Sequence, residues 1–349
     1  MASVENEAVV KQNRFSMDRM IDVAMNNKSI LLLVLMVVVA QLFSGGIFFK
    51  ASNISTIFRQ CAVPCIITMG YIYNLTAGSI DLSVGHIISM CCVIYNEIVL
   101  RSVGGNERIT ETGTGIFIIA LLATLAIGML CGMLNAVLIN KFNLIPFILT
   151  MGTGQIYRSI AMVICGGVTH SVRIKSMQYI GQGILMGWLP VSVLIFAILT
   201  VIAAVIIYRT KLGRHIVAVG GNREAARVSG VNIVKTKVIA TTIMGFHMAL
   251  AAIVLTGRVT VAQPAGGTGM EMDAIAGVVI GGTALGGGKP NVIGAIFGAL
   301  ILSVISNTLN LLSIDAYLQW AVKGAIIIVA IMLDLVSENL NAKRMLRVQ

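Results

Sequence analysis

Eight polar side chains lie inside or at the ends of strongly apolar runs: Asn74, Asp81, Ser83, Asn135, Gln155, Asp273, Asn307 and Asn310. Amides and hydroxyls in such surroundings exchange hydrogen bonds with a small polar solute without gripping it, which suits passage rather than bond-making. Bonding between neighbouring helices is the competing role for each of them. The two acids stand apart. Asp81-Leu-Ser-Val-Gly85 and Asp273-Ala-Ile-Ala-Gly277 each place a carboxylate ahead of a glycine, where it is costly unless it caps a helix or meets water. One of these acids is therefore expected to line a path. His86 and His247 raise the idea of a proton relay, but lone histidines in apolar runs more often serve packing. The six cysteines fall in apolar runs with no Cys-x-x-Cys pair and no histidine cluster beside them, so they read as small packing residues and no metal site is expected. Gly288-Lys289 is followed by Pro290, which excludes a phosphate-cradling loop there. No cofactor is expected, and any nucleotide chemistry has to come from a partner.

The elements that position these residues must cross lipid. Of 349 residues, 57% are hydrophobic and only 11% charged, against roughly 25% charged in a soluble domain, and the mean hydropathy is +0.93. Soluble enzymes and nucleic-acid binders are excluded. Apolar stretches near 29–49, 54–74, 84–100, 115–139, 144–165, 184–208, 238–256, 273–285, 291–313 and 319–336 predict an all-α polytopic membrane protein of about ten spans. Those at 84 and 273 are short and glycine-flanked, as expected of broken helices. Residues 1–28 lack a signal-peptide core and are expected to stay attached and cytoplasmic; 29–336 form the transmembrane domain and 337–349 a cytoplasmic tail. The net charge of +11 is read as topogenic. With the N-terminus inside, 16 of the 25 Lys and Arg residues fall on inner segments, so the chain is expected to be N-in and C-in, with one large cytoplasmic loop at 209–237. Arg158 and Lys323, inside spans, are expected to snorkel outward. The two acid-to-glycine runs open the third and eighth spans, which suggests a 5+5 inverted repeat. Glycines four apart (128 and 132, 277 and 281, 282 and 286, 294 and 298) predict closely packed helices, chiefly within one chain.

Within the loop, Asn222 as N-cap, helix formers from Arg223 to Val228 and Gly230 as terminator predict one or two turns of helix. So short a helix is not stable alone; it is either a plug for a partner's groove or part of a solvated loop.

Glu224-Ala-Ala226 followed by Gly230 resembles the coupling loop of bacterial ATP-binding-cassette importer permeases. Gly78-Ser-Ile-Asp-Leu-Ser-Val-Gly85, Pro146-Phe-Ile-Leu-Thr-Met-Gly152, Gly213-Arg214 with Ala218-Val-Gly-Gly-Asn222, and Gly281-Gly-Thr-Ala-Leu-Gly-Gly-Gly288 are similar, in this order, to motifs of the ribose/galactose/xylose-type permeases. Ser79 is one residue more than the family's usual Gly-Ile-Asp-Leu-Ser run. The resemblance covers about 30–335. It implies a non-enzymatic permease subunit in a bacterial inner membrane, working as a homodimer with a cassette ATPase and an extracytoplasmic sugar-binding protein. On this basis Asn222, Glu224, Ala225, Ala226 and Gly230 are the expected coupling residues, and Asp81, Ser83, Asn135, Gln155, Asp273 and Asn307 the candidate path. A helix N-terminal charge is the competing role for Glu224. The alternative function is an ion-coupled secondary transporter of a small polar solute.

Overall fold

The computed structural model describes residues 28–106, 110–171, 173–329 and 332; the terminal segments of the sequence reading lie outside them. The fold is all-α. Ten apolar helices carry it: α1 Lys28–Phe43, α2 Ala51–Thr76, α3 Val84–Ser102, α4 Thr114–Phe142, α5 Pro146–Ile164, α7 Val191–Arg209, α10 Ile233–Val259, α11 Met270–Ile280, α12 Val292–Leu311 and α13 Ala316–Val329. Between them lie three short helices, α6 Lys175–Gln182, α8 Lys211–Gly221 and α9 Arg223–Val228. Helices α3, α4, α5, α7, α10 and α12 are long and apolar enough to cross a membrane. At 1.5 Å per residue, α2 reaches about 39 Å, but with more polar residues along it.

Three expectations need correction. The stretch from 184 is not helical at first: Ile184–Leu185 (β2) pairs antiparallel with Leu189–Pro190 (β3), and α7 starts only at Val191. Gly187, at φ +78°, makes the tight reversal. The third span is not shortened, since α3 runs 19 residues; of the two, it is α11, with 11, that is a partial helix. Neither acid is a helix cap. Ser83 occupies the N-cap position of α3, and Asp81 turns back to accept from the Ser83 N–H at 2.7 Å. Gly269 holds that position for α11, and Asp273 lies within the first turn.

The core is built from α2, α3, α10, α11 and α12, with α4, α5 and α7 mostly exposed around it. Packing follows a repeated scheme: α10 packs on α3 and α4 as α2 packs on α11 and α12, and α3 packs on α4 as α11 does on α12. This exchange matches the 5+5 division. A second short ladder, His170–Ser171 (β1) with Val261–Ala262 (β4), ties the middle of the chain to the segment after α10.

Glycine sets the approach distances. Gly128 and Gly132 of α4 face Gly245 and Thr241 of α10, while Gly277 of α11 and Gly281, just past its end, face Gly298 and Gly294 of α12; a Cβ on any of these glycines would overlap the facing backbone, except on Gly277, where it would overlap Thr68 of α2. Lipid tails are as apolar as leucine, so helix association in a membrane relies on such van der Waals closeness. All six cysteines are buried and free. Gly245→Val, which overpacks the α4–α10 seam, is expected to cost about 1–3 kcal/mol, read as a lower thermal midpoint of the detergent-solubilised protein.

Candidate functional site

Three polar regions emerge, and the six path candidates are divided among them and the protein's outer face. The first is a buried network at the start of α3. Asn135 Nδ2, from α4, donates to Asp81 Oδ2 at 3.1 Å and to Ser83 Oγ at 2.8 Å. Ser83 Oγ donates to Asp81 Oδ1 at 2.6 Å, and Tyr157 Oη, from α5, donates to Asn135 Oδ1 at 2.9 Å. The backbone is held as well: Asp81 N–H donates to Tyr71 Oη at 3.0 Å and Leu82 N–H to Thr150 Oγ1 at 3.1 Å. Thus Asp81, Ser83 and Asn135 meet, each shut off from solvent. A fully bonded buried network rigidifies its surroundings. Tyr71, Thr150 and Tyr157 were missed by the sequence reading, because a hydroxyl inside an apolar helix carries no local signal.

The second region is a cavity of about 510 Å3 lined by α2, α10, α11, α12 and α13, in the halves of α2, α10 and α12 remote from α8 and α9. Asp273 is here. Lys323 does not snorkel away but binds it, with Nζ 3.0 Å from Oδ2 and 3.3 Å from Oδ1. Arg59, Gln60, Arg258, Ser306 and Asn310 complete most of the polar wall. Asn307 does not line the cavity but stands behind its wall, pairing with Asn53 (donating to its Oδ1 at 3.1 Å, accepting from its Nδ2 at 3.2 Å) and donating to Gln60 Oε1 at 3.4 Å. Gln155 is exposed on the outer face of α5. Asn74 accepts from Thr241 Oγ1 at 2.8 Å, across the α2–α10 seam. Glu271, also missed, accepts from the Gly269 N–H at 3.2 Å and packs its other oxygen against Gly85.

The third region is the segment 210–231. Asn222 caps α9, its Oδ1 accepting from the Ala225 N–H at 2.9 Å, and Gly230 closes it at φ +81°. The Val231 N–H returns to Ala226 O at 3.0 Å, so the last carbonyls are satisfied. Glu224 Oε2 accepts from Arg227 Nε at 3.0 Å on an exposed surface. The segment is more structured than a loop: α8 precedes α9, capped by Thr210, whose hydroxyl accepts from the Gly213 N–H at 3.2 Å. Val219, Ala226 and Ile233 form a small apolar core. Ala226 therefore faces inward, while Ala225 and Val228 remain exposed.

This segment meets the bundle through apolar side chains, with Ile216 fully buried in the main core and Leu212 packed against it, and at its far end through bare backbone. The Gly288 N–H donates to Thr76 O at 2.9 Å, and a Cβ on Gly220 would overlap both groups. The end of α8, the break after α2 and the break before α12 meet at this junction.

The model of the family described as "Branched-chain amino acid transport system / permease component" matches residues 53–331. The chain belongs to this permease family. It is 35% identical over 311 residues to a ribose import permease protein of Haemophilus influenzae, covering 88% of this chain and 92% of that one. It is 33% identical to a D-allose transport system permease protein of Escherichia coli, over 87% and 89% of the two chains. A xylose transport system permease protein of Haemophilus influenzae is 27% identical, over 89% and 97%. No solved structure matches. The permease is a membrane-embedded transporter subunit, and the shared region takes in all three polar sites.

The network generates a stability test. Asn135→Leu keeps the side-chain branching while adding bulk, and removes one hydrogen bond each from Asp81, Ser83 and Tyr157, at about 0.5–1.5 kcal/mol per bond, more where the carboxylate is involved. Its thermal midpoint is expected to fall below that of Tyr157→Phe, which removes only the phenol's bonds to Asn135 and Cys131 and leaves the Asp81 carboxylate its partners.

Proposed function

We propose that the permease is the membrane subunit of an ATP-driven importer of a monosaccharide in a bacterial inner membrane. On this reading it works as a homodimer, with N- and C-termini cytoplasmic. A separate cassette ATPase docks on α9 through Glu224, Ala225 and Val228, with Asn222 and Gly230 holding the helix in shape. An extracytoplasmic binding protein delivers the sugar to the opposite end, beside the cavity. The ribose, allose and xylose permeases support the solute class, each similar over most of its length. The positive-inside bias supports the sidedness.

One observation carries the coupling: the end of α8 touches, through glycine backbone, both breaks in the helical bundle. One break leads into Asp81 and α3, the other into α12. A partner that shifts α8 and α9 therefore moves the bases of two core helices together. Nucleotide binding drives the change to the extent that the closed ATPase prefers one arrangement of the bundle over the other. Asp81, Ser83 and Asn135 then act as the fixed frame against which the path opens, and Asp273 and Asn310 touch the solute, with Asn307 behind the cavity wall and Gln155, on the outer face, outside the path.

The ion-coupled alternative needs a chain of titratable groups. His247 Nδ1 sits 2.8 Å from its own helix at Ile243 O, and among the described residues neither His247 nor His86 hydrogen-bonds a carboxylate.

Two variants test the coupling in proteoliposomes holding permease, ATPase and binding protein. Glu224→Arg places like charges at 224 and 227 and is expected to leave membrane insertion intact while uncoupling ATP hydrolysis from uptake. Gly220→Ala should lower uptake by roughly an order of magnitude with the ATPase still bound. Uptake at the wild-type rate in both would remove the role given to this segment.

A further inference from the structure

A neutral sugar asks for amides and hydroxyls, yet the cavity between α2, α10, α11, α12 and α13 is strongly charged. Arg59, Arg258 and Lys323 line it against one carboxylate, Asp273. Lys323 and Asp273 satisfy one another at 3.0 Å, with side chains 22% and 20% exposed. Among the described residues the arginines have no such counterpart. The Nε atom of each is closed off from solvent and makes no hydrogen bond among the described residues. Among the described residues two guanidinium charges therefore face one partly enclosed recess, near the start of α2 and the end of α10, without a carboxylate to balance them, and partly buried unpaired charge is costly.

We propose that this recess is a binding site for an oxyanion carried on a small polyhydroxylated solute, a phosphorylated or carboxylated sugar derivative, with Arg59 and Arg258 as its anchors. The chemistry is complementary on each count. A guanidinium presents a planar fork of donors that fits a carboxylate or phosphate. Gln60 and Asn310 add amides that match hydroxyls, and Val63 and Pro64 give an apolar wall for a sugar ring face. The volume of about 510 Å3 lies within the range of small-molecule sites. A protein partner would need a side chain long enough to reach the enclosed Nε atoms. A lipid headgroup could supply the phosphate but leaves the polyol-binding groups unused.

The inference rests on the import reading for direction of transport but not for binding, so the two can fail separately. Purified permease in phosphatidylcholine nanodiscs is titrated at low salt with ribose 5-phosphate, gluconate and ribose. Both anions are expected to bind about tenfold or more tightly than ribose, and more weakly as salt rises. Arg59→Gln and Arg258→Gln, checked for monodisperse elution, should each weaken anion binding by about tenfold to a hundredfold with little change for ribose. Arg59→Lys should recover part of the loss, and Lys141→Gln, on an exposed position away from the cavity, should have none. Equal affinity for ribose and the anions, or anion binding indifferent to both arginine variants, would overturn the proposal. So would competition by phosphatidylglycerol with no solute bound, which assigns the site to a headgroup. Failure of the reconstituted importer to accumulate any sugar, with anion binding intact, would count against the import reading alone.

Discussion

Contact between bare backbones is the constraint on which this bundle depends. Water drives apolar faces together in a soluble protein, but lipid offers no such drive, and helices gain only from fitting closely. At the α4–α10 and α11–α12 seams and at the junction of residues 76, 220 and 288, the fit leaves no room for a Cβ. The two seams hold the halves of the fold in the same arrangement. The junction uses the same device for another end, bringing the close of α8 against both helix breaks by backbone contact, beside the side-chain packing of Ile216 in the core.

The polar residues divide by how completely they are satisfied. Around Asp81 nearly every donor and acceptor has a partner inside the protein, which argues for a rigid frame. Around Arg59 and Arg258 the opposite holds, and the surplus of donors looks outward for its complement. The sequence does not distinguish these cases, since both show a charge amid apolar residues. The distinction lies in which distant groups are brought near.

That difference explains what could be read before the structure. The cap, helix and terminator at 222–230 were legible because all three signals lie within nine residues and act through local backbone bonds. The apolar segments were legible from length and composition, with errors where chain reversals such as 184–190 carry enough hydrophobic residues to pass for helix. Helix α8 was missed because its basic flanks masked an apolar face that closes against distant groups, Ile216 and Leu212 in the main core and Val219 against Ala226 and Ile233. The Lys323–Asp273 pair spans 50 residues and the cavity runs from Thr56 to Lys323; nothing local announces either. Asp81 misled in a different way: the acid-to-glycine spacing suggested a cap, but Ser83 took that place and made the carboxylate its own acceptor.

The membership of the Asp81 network has a consequence for biosynthesis. All its groups, from Tyr71 to Tyr157, lie in the stretch from α2 to α5, Asp81 to Ser83 in the connection between α2 and α3. A chain emerging from the ribosome can therefore complete this network before α7 is made, because a nascent polypeptide folds from its N-terminal side. The cavity, by contrast, has walls from both halves and exists only once translation has ended. The frame is set first, and the later helices dock onto a surface that is already shaped.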